Sequence, residues 1–172
     1  MRENRRTEIV ASAVTLARAE GLDAVTYEAI ARSLSISKAG VVYHFPQRRD
    51  VLRAMVERTT SDVALIVEQR HHETGEPRMV SYVTMLLDGV LPPESPALAG
   101  AIAADEELAR GWREKLEVWT DEVVATGVNR NDVLTGYLAA TAGAWTQTPS
   151  QLLGVRRTIL RLLGADNQDV AK

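Results

Sequence analysis

The chain has 172 residues, 45% of them hydrophobic, enough for one or two small cores. It has no cysteine, which excludes disulfides, zinc–thiolate sites and thiol catalysis. A net charge of −3 argues against a general nucleic-acid binder, but the charge is uneven. Residues 1–50 hold eight Lys/Arg against six Asp/Glu, and residues 51–172 hold twelve against seventeen, so the basic surplus lies at the N-terminal end. Aromatic residues are few, so the cores must be built from Ala, Val, Leu and Ile. The charged start Met1–Arg6 leads into no apolar signal core. The most apolar stretch, 136–145, is far shorter than a membrane span. These features predict a soluble, cytoplasmic protein with no membrane partner.

Helical signals run the length of the chain, and no strand pattern or internal repeat is visible. Residues 4–20 place Ile9, Ala13, Leu16 and Ala17 on one helical face. Gly21 stands at the C-terminal cap, with Leu22 as its hydrophobic follower. Thr26 caps a second helix, 27–34, that buries Ile30 and Leu34. Ser35-Ile36 is a tight connection, and Ser37 caps a third helix from Lys38 to about His44. Pro46 ends it, and a long fourth helix runs from near Gln47 to about Arg70. After the loop at 73–77, a fifth helix is expected over 78–90 and a short sixth over about 96–103, opened by Ser95-Pro96. Asp105 caps a seventh helix ending near Gly127, with Gly111 inside it at a propensity cost of about 1 kcal/mol. Asn131 caps an eighth over about 132–146, and Thr148-Pro149 opens a ninth that Gly164 closes.

Three short helices within 50 residues, the second and third joined by a very short turn, make a helix-turn-helix pattern. Such a unit needs one helix to brace another, because a lone helix cannot hold itself in the major groove. Lys38 has the reach to donate to guanine O6/N7. Ala39 and Gly40 keep the helix thin enough for its backbone to approach base edges. Thr26 and Ser37 are also explained as helix caps alone, His44 as a packing residue, and Arg5, Arg6 and Arg49 as a solvated charged face.

The segment from Thr26 to Pro46, with Ser37-Lys38, Tyr43-His44-Phe45 and the following Arg48-Arg49-Asp50 at matching spacing, strongly resembles the DNA-binding domain of the tetracycline-repressor (TetR) family. The motif spans about residues 5–55, and the helix order extends the likeness as architecture, toward the multidrug-sensing members. The resemblance implies an all-α fold of about nine helices. Residues 1–46 would form the helix-turn-helix domain, and 47–172 a ligand-sensing and dimerisation domain. It implies phosphate contacts from Thr26, Tyr27, Tyr43, His44 and Arg48, and a groove-facing helix start at Ser37, Lys38, Ala39 and Gly40. Two positions depart from the family pattern. Ser35 replaces the usual turn Gly and must accept a left-handed conformation, and Val42 replaces a frequent phosphate-contacting Tyr.

In the second half, Gly136, Ala139, Ala140, Gly143 and Ala144 line up small side chains, and Leu152, Leu153, Val155, Ile159, Leu160, Leu162 and Leu163 make the last helix apolar over much of its circumference. Composition alone fits either a monomer core or an interface. Two recognition helices about one DNA turn, ~34 Å, apart favour a homodimer through residues 132–163. Met85, Asp88, Trp112, Leu116, Trp119 and Trp145 are candidate lining residues for a small-molecule effector, with Glu122 a further acid for a cation. Aromatics at helical spacing are equally explained as core.

The chain has no phosphate-binding Gly loop, nucleophile elbow or metal-ligand spacing, so neither an enzyme nor a cofactor or metal site is expected. The adjacent His71 and His72 point different ways on a helix and read as a solvated helix end. The combined expectation is a repressor that binds a palindromic double-stranded DNA operator as a dimer and is released by a small hydrophobic or aromatic effector. The alternative is a helical small-molecule-binding or scaffold protein with a vestigial helix-turn-helix.

Overall fold

The computed structural model describes residues 2–91, 106–146 and 149–165. Among these the chain is all-helical: α1 (Arg2–Glu20), α2 (Tyr27–Ser33), α3 (Lys38–His44), α4 (Arg48–Thr74), α5 (Arg78–Leu87), α6 (Glu106–Val124), α7 (Arg130–Thr146) and α8 (Pro149–Leu162), with a single 3-10 turn at Leu22–Ala24. The short helix expected over 96–103, and the caps at Asp105 and Thr148, fall outside the described residues.

Two compact units form, one from residues 1–62 with 92–110 and the other from 63–91 with 111–172. In the first, Ile9, Ala13, Val25, Ile30, Val41, Phe45, Val51 and Met55 make a closed core of mostly aliphatic side chains around one phenyl ring. Phe45 is fully buried, so the chain leaving α3 is fixed by its own side chain. In the second, Val63, Val67, Met79, Val83, Trp119, Val123, Val133, Ala140, Ile159 and Leu163 share another core. Every side chain of α5 from Met79 to Leu87 is buried, as expected for a helix apolar on nearly all sides. Helix α4 contributes Val51, Met55 and Val56 to the first core and Val63 and Val67 to the second.

The local signals act as anticipated at most helix ends. Thr26 Oγ1 accepts from Ala29 N at 3.1 Å, and Ser37 Oγ accepts from Gly40 N at 3.1 Å. Ser35 takes a left-handed backbone (φ 53), with Ile36 N bonded to Ala31 O and Ser35 N to Arg32 O. This is the Schellman arrangement that glycine usually closes. Two details differ from the sequence reading. Helix α4 continues to Thr74, through the expected start of the loop. Helix α7 begins at Arg130, and its first turn is capped by Asn129 rather than Asn131: Asn129 Oδ1 accepts from Asn131 N at 2.8 Å. Asn129 and Asn131, two residues apart, both carry capping side chains, and the first of them caps the helix.

Gly136 explains one position of the small-residue stripe of α7. A Cβ there would lie 3.3 Å from the Ile159 carbonyl oxygen and 3.3 Å from Leu163 Cγ. Gly136 therefore lets α8 pack closely on α7 within one chain, and Ala140 is buried in the same core. Leu138 and Ala139, on the same helix, are exposed. Gly143, Ala144, Leu152 and Leu153 have side chains outside the described set. Gly111 has open space where a Cβ would stand, so no close packing requires it.

Candidate nucleic-acid interface

The helix-turn-helix is built from α2, the Ser35 turn and α3. Its residues divide into those that hold the frame and those that face out. Tyr27 belongs to the frame: its hydroxyl donates to the Phe45 carbonyl oxygen at 2.8 Å, joining the start of α2 to the end of α3. Burial, with the charge of Asp50 adding to it, pushes the Tyr27 hydroxyl above its ordinary pKa, so it stays a neutral donor. Arg48 also braces the frame, since its guanidinium donates to the carbonyl oxygens of Leu22 (3.1 Å) and Val25 (3.5 Å). Arg6 donates to the His44 carbonyl oxygen at 2.6 Å and lies over the Phe45 ring at 4.2 Å.

Ser37, Lys38 and Ala39 are exposed at the N-terminal end of α3, and Gly40 is half-buried beneath them. Val41 on the opposite side is fully buried, so α3 presents one thin face outward and anchors the other. Lys38 Nζ forms an ion pair with Glu28 Oε1 at 2.6 Å, a partner absent from the sequence reading. Glu28 belongs to α2, and pairing with a lysine ten residues away depends on the angle between the two helices. At the other end of α3, Tyr43 is 63% exposed and stands edge-on to His44, ring centroids 5.2 Å apart. His44 is half-buried, and its Nδ1 is buried without a hydrogen-bond partner. Thr26 is exposed at the start of α2. Thr26, Ser37, Lys38, Ala39 and Tyr43 thus form an outward set on a frame held by Tyr27, Phe45 and Arg48. Arg49 and Arg53 both pair with Glu107.

The candidate effector residues lie in the second unit. Trp112 and Trp119 meet edge to face, centroids 5.7 Å apart, and Tyr82 sits 5.6 Å from Trp112 and 5.7 Å from Trp119. Tyr137 adds a fourth ring 6.1 Å from Tyr82. Trp119 is buried, while Trp112 and Leu116 are partly buried against the same core. Burial pushes the Tyr82 hydroxyl well above its ordinary pKa. Met85 is a buried core residue. Asp88 pairs with Arg156. The backbone of Trp145 lies in α7, and its side chain is outside the described set. Glu122 accepts from both the backbone and the guanidinium of Arg78, each at 2.9 Å. The same guanidinium grips Glu68 at 2.6 and 2.8 Å. The sequence reading found the two Trp residues by their spacing of seven but missed Tyr82 and Tyr137, which lie on other helices.

Among the described residues no helix is long and apolar enough to cross a membrane, and no cluster of metal-ligating side chains forms.

Residues 9–55 match the family model for bacterial regulatory proteins of the tetR family. A transcriptional regulator from Rhodococcus sp. Rha1 has a similar fold, with a TM-score of 0.70, 16% identity, and coverage of 92% of this chain and 91% of that one. The multidrug binding protein EbrR, in complex with imidazole, gives a TM-score of 0.65 at 18% identity, covering 92% of this chain and 94% of its own. At such identities the likeness speaks for the fold alone. No curated protein matches the chain by sequence. The matched segment, about a quarter of the chain, contains all of α2, α3 and the frame that holds them, so the likeness to tetR-family regulatory proteins is carried by the helix-turn-helix itself.

Proposed function

We propose that the chain is a repressor that binds a palindromic operator as a homodimer and releases it when a small hydrophobic or aromatic molecule binds the second unit. One observation carries the reading. The N-terminal end of α3 exposes Lys38 and Ala39 on a helix whose far side is locked by Val41 and Phe45. A rigid, thin, cationic helix end is what direct readout of a major groove requires. Thr26 and Tyr43 flank it at positions suited to phosphate contact.

The dimer is supported by the exposed face of α7, where Thr135, Leu138 and Ala139 leave a small, partly apolar strip, and by the exposed Val155 of α8. The effector is supported by the four-ring cluster of Tyr82, Trp112, Trp119 and Tyr137. The multidrug and imidazole ligands named for EbrR fit the same chemistry. Helix α4 has side chains in both cores and is the natural carrier of the coupling. By linkage, operator DNA must weaken effector binding by the factor by which effector weakens operator binding. The reading assigns no catalytic step and a cytoplasmic location.

Selection of duplexes from a random library by the purified chain tests this reading. Enrichment of an inverted repeat with half-sites about one helical turn apart is the expected result. Enrichment of nothing, from a folded protein, contradicts it and favours a helical ligand-binding protein with a vestigial helix-turn-helix.

A further inference from the structure

We propose that Glu28 is a positioning and specificity residue: its carboxylate holds Lys38 in an ion pair that keeps the lysine from binding phosphates indiscriminately. The proposal rests on the DNA-binding reading above and adds a role for a residue that reading does not use.

Four observations converge. The pair is short, 2.6 Å from Lys38 Nζ to Glu28 Oε1, and it spans the turn between the bracing and groove-facing helices. Both side chains are more than half exposed, so the pair lies on the outward surface. Lys38 is the first residue of α3, where the positive end of the helix disfavours a cation, and a carboxylate beside it offsets that field. The Glu28 carboxyl is held below its ordinary range, chiefly by its hydrogen bond from Lys38.

A free lysine on a DNA-facing surface donates to any phosphate. Such contacts raise affinity for every sequence alike through counterion release, and so reduce discrimination. A carboxylate at the same place repels the phosphate backbone and competes for the ammonium. The guanine O6/N7 edge offers two acceptors to a donor aimed at them, so a specific site can outbid Glu28 where a random one cannot. Glu28 therefore lowers absolute affinity and widens the gap between operator and random DNA.

The test uses the full chain, a random-sequence 30-bp duplex, and the duplex enriched by wild-type protein. In Glu28→Gln, affinity for the random duplex is expected to rise several-fold. Its slope of log K against log salt should steepen by about one, the signature of one added phosphate contact. The operator-to-random ratio should fall. In a Lys38→Ala background, Glu28→Gln should change neither affinity nor slope by more than a small part of this. A random-duplex affinity and slope equal to wild type would overturn the proposal. So would a gain that persists without Lys38, which would make Glu28 a general repulsive charge. A carboxyl titration of Glu28 by NMR, without DNA, separates the two levels of the argument. Its midpoint should rise in Lys38→Ala, and an unmoved midpoint overturns the pairing itself. If the midpoint moves but the wild type binds neither duplex, the DNA-binding reading fails and the proposed role falls with it.

Discussion

The Tyr27 hydroxyl donates a 2.8 Å hydrogen bond to the Phe45 carbonyl oxygen, closing the helix-turn-helix at its two ends. Tyr27 precedes the turn and Phe45 follows α3, so the bond fixes where the recognition helix finishes relative to where its brace begins. Replacing Tyr27 by Phe keeps the ring and removes the bond. The expected cost is about 1 kcal/mol, or a melting temperature lower by about 2–4 °C. Operator affinity should fall with little change in salt slope, because no phosphate contact is lost. Parallel melting and binding curves check this, and an unchanged melting temperature would show that the bond does not hold the frame.

Ser35 sits at φ 53 in a motif whose other examples among the described residues, at Gly89 (φ 67) and Gly164 (φ 70), use glycine. A side chain in that conformation costs roughly 1–2 kcal/mol, partly offset by the greater unfolded-state freedom of glycine. Ser35→Gly is expected to stabilise the chain by about 0.5–1 kcal/mol, read as a higher denaturant midpoint with unchanged slope. A lower midpoint would mean that the serine hydroxyl contributes more than its backbone strain removes.

Local chemistry made much of this readable in advance. Caps such as Thr26 and Ser37 act on amides three residues away, and Ser35 is forced left-handed by the shortness of its turn. Features that depend on helix-to-helix angles were not readable. The Glu28–Lys38 pair is one, and the ring cluster joining Tyr82 and Tyr137 to the two tryptophans is another. Arg48 looked available for phosphate from its place at a helix start, and its guanidinium also donates to two carbonyls of the α1–α2 connection, Leu22 and Val25. The small residues of α7 signalled close approach without saying of which helix. Gly136 serves the same chain's α8, Ala140 is buried in the core, and Leu138 and Ala139 are exposed.

Gly136→Val tests that internal contact. With a Cβ already 3.3 Å from a backbone oxygen, branched methyls would force α8 away from α7. A loss of about 1–3 kcal/mol is expected, with Leu163 the first core residue displaced. Denaturant unfolding measures it, and a neutral outcome would place the two helices farther apart than the structure has them.

The Glu68–Arg78–Glu122 bridge predicts an acid dependence. Glu68 is held below its ordinary value of 4.5, chiefly by its hydrogen bond from Arg78. A carboxylate depressed in the folded state contributes stability that is fully present above the unfolded value and is lost as pH falls through the folded one. Wild-type melting temperature should therefore decline as pH drops below about 4.5, and Glu68→Gln should flatten that decline while lowering stability at pH 7. Equal acid slopes in the two proteins would remove Glu68 from the account.

The most direct measurement of the central claim is fluorescence anisotropy of the purified chain on duplex DNA flanking its own gene, with scrambled duplex as competitor and Lys38→Ala as control. Saturable binding that scrambled DNA fails to displace, and that Lys38→Ala weakens, is the predicted result. Binding that scrambled DNA displaces equally, or that is indifferent to Lys38, would contradict a sequence-reading role for α3.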